Sequence, residues 1–145
     1  MGFFTLPLAR MVGEAGLVVV VDIQPRMLEI LGRRAARAEL LERIQLRAAS
    51  EEGLGVADLA GTMDLVAALH MVHEVPSQGR FFEEVWLALR PGGRLILVEP
   101  KGHVSQRKFD QSLETAGRAG LVVEPARMRT RGRSALLLKP EGARL

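Results

Sequence analysis

The sequence contains no cysteine, no tyrosine and a single tryptophan, and aromatic residues make up 4% of its 145 positions. Without cysteine there is no disulfide framework, no thiolate metal site and no cysteine nucleophile. So few aromatics leave little platform for stacking bases, and nucleic-acid binding is not expected despite a net charge of +3. No uninterrupted apolar run is longer than Leu17–Val21, far below the ~20 residues that cross a bilayer, so no membrane association is expected. The first residues carry no basic segment followed by a hydrophobic core and a small-residue cleavage site. No signal peptide is expected, and the expected location is the cytoplasm.

What is present is a chain with 48% apolar and 26% charged residues, 15 Gly and 7 Pro. This length suits one domain over residues 1–145, able to bury roughly 70% of the surface its unfolded chain exposes. Charge is uneven: 10 basic and 13 acidic residues through residue 100, 10 basic and 4 acidic after it. Arg127, Arg129, Arg131 and Arg133 alternate with other residues, which on an extended ribbon places four guanidinium groups on one face.

Helical periodicities alternate with short β-branched runs, the pattern of an α/β fold whose parallel sheet is covered by helices. Residues 3–12 read as a helix, with Pro7 tolerable only in its first turn, ended by Gly13 and Gly16. Leu17–Ile23 is apolar on both alternating faces, as a strand between helix layers should be. Pro25 opens a helix carrying Leu28, Leu31, Ala35 and Ala38 on one side. Ile44–Ala49, Met63–Leu69 and Arg94–Val98 read as further strands. A helix over Gln78–Arg90 is expected to bury Phe82, Val85, Trp86 and Leu89 and to stop at Pro91-Gly92-Gly93. Ser105 caps a helix with Phe109, Leu113 and Ala116 inward, closed by Gly120. The runs Leu121–Arg129 and Ser134–Lys139, separated by a few residues including Gly132, read as an antiparallel hairpin.

In open parallel sheets, ligands bind beyond the carboxyl ends of the strands. The apolar runs end in Asp22, in Ser50-Glu51-Glu52, in His70, His73 and Glu74, and in Glu99. These are expected to line one rim. A carboxylate in the position of Asp22 can accept hydrogen bonds from both hydroxyls of a ribose, or can cap the helix that follows. His70, His73 and Glu74 include positions three apart that share a helix face, but the spacing matches no zinc motif and lacks a third ligand, so no metal site is expected.

The stretches Gly2–Arg10, Val20–Leu28, Leu65–Pro76 and Leu89–Leu95 resemble, in order and spacing, successive motifs of the class I S-adenosylmethionine-dependent methyltransferases. Among these the chain is most similar to the small-molecule group that includes the quinone-biosynthesis methyltransferases. The resemblance implies a Rossmann-like, mostly parallel sheet ending in an antiparallel hairpin, with S-adenosylmethionine as cofactor and a small-molecule methyl acceptor as partner. In that family a strand and an acidic-x-Gly-x-Gly-x-Gly loop precede the first helix, and of these only Gly2 remains here. The central first strand, between the runs at 17–23 and 63–69, is therefore expected to be missing, and the natural protein to extend upstream of Met1.

The resemblance also implies roles for individual residues. Gly2 and Phe3 belong to the surface that meets the methionine moiety. Asp22 holds the ribose, Ile23 packs on the adenine, Ser50 or Glu51 stands near its amino group, and His70 faces the sulfonium. Methyl transfer from an activated sulfonium mainly needs alignment, and a base only where the acceptor must lose a proton. His73, His103 and Glu99 are the candidates for that base, against the plainer reading of a histidine as a cap or surface hydrogen-bonding group. Residues 101–119 and the arginine-rich hairpin are the segments expected to choose the acceptor, with Lys101, His103 and Arg107 available to an acidic group. Two other readings stay open: a remnant that keeps the fold without the cofactor and serves as an interaction module, and a nicotinamide-dinucleotide-binding domain. An unfilled sheet would also favour a homo-oligomer.

Overall fold

The computed structural model describes residues 2–126 and 128–142, so Arg127 of the expected arginine ribbon lies outside the described residues. The chain forms two compact units, Met1–Gly55 and Val56–Leu145. No helix among the described residues is long and apolar enough to cross a membrane.

In the first unit, α1 (Thr5–Met11) begins two residues later than the periodicity suggests, and this places Pro7 in the first turn, where its missing N–H is harmless. Val12 caps it and Gly13, with φ +75°, turns the chain out of the helix. Strand β1 (Val18–Asp22) follows, then α2 (Pro25–Arg37), opened by proline at its first position. Strand β2 (Ile44–Ala48) pairs with β1 in parallel, Val18 opposite Ile44 and Asp22 opposite Ala48. Leu28, Leu31 and Ala35, at spacings of three and four, form the buried face of α2. Ala35 packs with Ala9, Leu40 and Ile44, and Leu6, Val18 and Val20 close over that cluster. Burying a side chain such as Leu31 stabilises by about 1.5–3 kcal/mol. Strand β1 has β2 as its sole strand neighbour among the described residues. All five of its residues are accordingly half-buried, although the run is apolar throughout.

The second unit is a four-stranded sheet in the order β3-β4-β6-β5. Strand β3 (Met63–Leu69) runs parallel to β4 (Leu89–Glu99), which pairs antiparallel with β6 (Arg133–Leu138), and β6 pairs antiparallel with β5 (Val122–Glu124). The expected antiparallel hairpin at the C-terminal end is thus realised, in a mixed sheet whose parallel pair is β3-β4 and which is separate from the β1-β2 pair where one sheet was expected, with α3 (Gln78–Ala88) and α4 (Gln106–Arg118) as its helices. Leu95, Leu97 and Leu137 are fully enclosed, as are Phe82 of α3 and Ala116 of α4. Strand β3 is an end strand, and its Leu65 stays exposed.

Three local expectations are corrected. Pro91-Gly92-Gly93 does not stop α3: the helix ends at Ala88, and Leu89 already has extended backbone. The Pro-Gly-Gly triplet instead forms an irregularity inside β4, where the register jumps from Met63 opposite Leu89 to Leu65 opposite Arg94. A Cβ on Gly93 would lie 2.9 Å from the Met63 carbonyl oxygen, so only glycine lets the two strands approach there. The inward face of α4 carries Ser112 where Leu113 was expected, and that of α3 carries Phe81 and Ala88 in addition to Phe82 and Val85, with Trp86 half-buried. The arginine ribbon does not form: Arg129 and Arg131 lie in irregular chain, and Arg133 turns back to the Val104 carbonyl and the Gln106 side chain. Finally, Lys139 is buried, its ammonium donating to the carbonyls of Trp86 and Leu89 at 2.8 Å each and lying 3.9 Å from the centre of the Trp86 ring.

Candidate functional site

Each unit carries polar residues at the carboxyl ends of its parallel strands. In the first, Asp22 closes β1 and one carboxylate oxygen accepts the Gln24 N–H at 2.8 Å, immediately before α2 begins. This bond closes an Asx-type turn just ahead of the helix, whose N-cap is Gln24 without a side-chain cap, and it uses one oxygen of two. The second has no partner among the described residues. Ile23 beside it is 54% exposed. At the end of β2, Ser50 and Gly53 bond to each other through their backbones, and the Ser50 hydroxyl accepts the Glu52 N–H at 3.1 Å. Glu51 stands exposed in that turn. Gly2 has φ +84° and its carbonyl accepts the Leu6 N–H, while Phe3 is 80% exposed, its ring edge-on to that of Phe4.

In the second unit the geometry is more closely determined. His70, just past β3, has left-handed backbone, φ +59°, and its N–H donates to the Val98 carbonyl at 2.7 Å. A non-glycine residue held there stores about 1–3 kcal/mol, which persists only where the surroundings fix it and is concentrated at functional sites. The bend leads into a single 3-10 turn, Val72–Glu74.

Beneath that turn lies Glu99, the last residue of β4. By the two-residue alternation of a strand it falls on the face that carries Leu95 and Leu97, and it is as buried as they are. A buried carboxylate persists only when its oxygens are hydrogen-bonded, and here both are. One accepts the Val72 N–H at 3.1 Å, and the other accepts the His73 N–H at 3.1 Å and bonds His73 Nδ1. In the neutral imidazole with its proton on Nδ1, toward Glu99, Nε2 is the lone-pair nitrogen. The nearest carboxylate to Nε2 is exposed Glu74, at 3.8 Å. His103 lies in the turn after β4, its ring centre 6.0 Å from that of His73.

His73 and His103 open on a cavity of about 370 Å³ whose far wall is α4, presenting Lys108, Gln111, Ser112 and Thr115. Of the sequence candidates, the structure thus brings His73, Glu99 and His103 together, with Glu99 enclosed behind the imidazole. Lys101 and Arg107 are exposed and do not line the cavity. Lys108, Gln111 and Thr115 were missed; they flank the inward face of α4, which is Phe109, Ser112 and Ala116, and Lys108 and Gln111 are exposed.

Comparison with known proteins agrees with this architecture. A family model described as a methyltransferase domain matches residues 1–97. A ubiquinone/menaquinone biosynthesis C-methyltransferase of Haemophilus ducreyi is 32% identical over 98 residues, covering 68% of this chain and 37% of that protein. Its counterpart in Marinomonas sp. is 26% identical over 113 residues, covering 76% of this chain and 44% of the other. Among solved structures, a SAM-dependent methyltransferase from Aquifex aeolicus superposes with a TM-score of 0.80 at 19% identity, over 95% of this chain and 77% of that one. A SAM-dependent O-methyltransferase from Thermotoga maritima gives 0.70 at 18% identity, over 94% and 54%. The chain belongs to the methyltransferase-domain family, with the Rossmann-like fold of the class I enzymes. It spans less than half the length of these two curated relatives.

Proposed function

We propose that the chain takes part in S-adenosylmethionine-dependent methyl transfer to a small molecule. The observation that carries this reading is Asp22, which ends β1 with one carboxylate oxygen fixed on the Gln24 amide and the other available, beside the exposed side chain of Ile23. An oriented carboxylate next to an apolar surface is the donor set that a ribose and its base require, so the residues present fit a nucleoside cofactor. Asp22 would hold the ribose hydroxyls, Ile23 would cover the base, and the Ser50-Glu51 turn at the neighbouring strand end would meet its polar edge.

The cofactor, when bound, supplies a methyl group on an activated sulfonium. What remains for the protein is to align the acceptor and, for a hydroxyl acceptor, to remove its proton. His73 suits that second task. Glu99 bonds its Nδ1, and in the neutral tautomer protonated there Nε2 can accept a proton. Glu99 is a positioning residue: buried, and engaged through both oxygens, it does not touch the acceptor.

Titration calorimetry with S-adenosylhomocysteine tests the reading. Binding at one site is expected. Asp22→Asn should weaken it about 10- to 100-fold, the effect of losing a hydrogen bond to a charged group worth about 1.5–3 kcal/mol. No binding to the unmodified chain overturns the proposal, and binding of NADH in its place identifies a dinucleotide domain.

A further inference from the structure

We propose that Gln78 is a positioning residue for the His73 imidazole, acting through the peptide group that joins Val72 to His73. The inference rests on the reading of His73 as the group that takes a proton, and adds to it a residue that fixes where the ring stands.

The first argument is that this one peptide group is gripped at both ends. Its carbonyl oxygen, on Val72, accepts from the Gln78 side-chain amide at 3.2 Å, and its N–H, on His73, donates to Glu99 at 3.1 Å. Within the 3-10 turn the same carbonyl meets the Val75 N–H at 3.4 Å, outside the roughly 2.7–3.2 Å of a good N–H···O bond. The turn alone therefore leaves that carbonyl loosely held, and Gln78 supplies the closer donor. A bond to the carbonyl of a peptide group strengthens donation by its N–H, because hydrogen bonds in series polarise one another. The Glu99 oxygen that receives this N–H is also the one that bonds His73 Nδ1. A chain of hydrogen bonds thus runs from the Gln78 amide through the peptide and Glu99 to the ring.

The second argument is that little else holds the ring. Nε2 lies 3.8 Å from the exposed Glu74 carboxylate, beyond hydrogen-bond reach, and the His103 ring centre is 6.0 Å away. Among the described residues Glu99 is the hydrogen-bond partner of the imidazole. What fixes the turn on Glu99 therefore fixes the ring.

The third argument is support. Gln78 is the first residue of α3, and that helix start is set by Ser77, whose hydroxyl accepts the Arg80 N–H at 3.3 Å. A side chain that leaves a capped helix end starts from a rigid element. Gln78 is half-buried and lines the same cavity as His73. The left-handed backbone of His70, which opens the bend, also persists only where its surroundings fix it.

The experiment uses the full chain at one fixed pH, with histidine ring nitrogen shifts and amide hydrogen exchange read by NMR. Gln78→Met keeps an unbranched side chain and removes the donor, and Gln78→Glu sets a carboxylate against the Val72 carbonyl. Both variants are expected to speed exchange of the His73 amide about tenfold or more. Both should also move the His73 Nδ1 and Nε2 shifts and leave those of His70 in place. Ser77→Ala removes the cap of the same helix and controls for a merely structural role. It should lower the melting temperature and leave the His73 signals as in the parent. Unchanged His73 shifts and exchange in both Gln78 variants overturn the proposal, and so does an equal response to Ser77→Ala. S-adenosylhomocysteine is titrated separately. Absence of its binding overturns the methyl-transfer reading and leaves the measured coupling of Gln78 to His73 in place, whereas its binding together with unchanged His73 signals overturns the positioning role alone.

Discussion

One oxygen of Glu99 holds His73 at two points, accepting its backbone N–H at 3.1 Å and bonding its ring Nδ1. Fixing main chain and imidazole together leaves the ring little freedom. Glu99→Gln cannot reproduce this, because one of its two polar atoms becomes a donor aimed at an N–H. The variant should lose about 1–3 kcal/mol of stability in urea unfolding. It should also redistribute the His73 tautomers, read by nitrogen chemical shifts. An unchanged Nδ1-protonated tautomer in the variant would show that Glu99 does not set it.

Asp22 closes a turn on the Gln24 amide, and two substitutions separate that from its proposed binding task. Asp22→Ala removes the acceptor for the Gln24 N–H and should cost about 0.5–1.5 kcal/mol of stability. Asp22→Asn keeps an oxygen there and should stay within about 0.5 kcal/mol of the parent while still losing S-adenosylhomocysteine affinity. Denaturant unfolding and calorimetry on both variants distinguish the two losses.

Gly117 and Gly120, three residues apart at the end of α4, should respond to alanine with opposite sign. A Cβ at Gly117 meets nothing within 4 Å, so alanine should stabilise by about 0.5–1 kcal/mol. Gly120 has φ +97° and its Cβ would come within 2.8 Å of Trp86 Nε1, so alanine should destabilise by about 1–2 kcal/mol. Thermal melts of the two variants test the pair.

Lys139 gives a pH dependence. Burial depresses its basicity below the ordinary 10.5, so between the depressed value and 10.5 the unfolded chain binds more protons than the folded one. Stability contributed by this group therefore rises as pH increases through that window. The neutral amine can still donate to both carbonyls. Lys139→Met removes those donors, which should cost about 1–3 kcal/mol at neutral pH. The difference between parent and variant should widen toward pH 10, measured by urea unfolding at matched ionic strength. A difference that narrows would contradict the burial.

Local signals made much of the fold legible. Pro25 at a first helical position, Ser105 as a cap and Gly13 as a helix exit all act as their chemistry dictates, and β3 has the bounds its composition implies. What could not be read depends on contacts distant in sequence. The burial of Lys139 depends on the carbonyls of Trp86 and Leu89, 53 and 50 residues away, which nothing local announces. Glu99 looks like a rim carboxylate because its burial depends on the amides of Val72 and His73, more than 25 residues earlier. Pro91-Gly92-Gly93 carries the local signature of a turn, and its place inside β4 follows from the register with Met63. The inner stripe of α4 keeps the expected Phe109 and Ala116, and Ser112 joins it because its hydroxyl is satisfied by the Lys108 carbonyl within the helix.

The imidazole is held from β4, and the wall it faces belongs to α4. Substitutions at Gln111 or Thr115 can therefore change the shape and charge of the cavity while the strand that orients His73 stays as it is. The cavity can thus be reshaped by drift along one helical face while a neighbouring strand keeps the imidazole anchored.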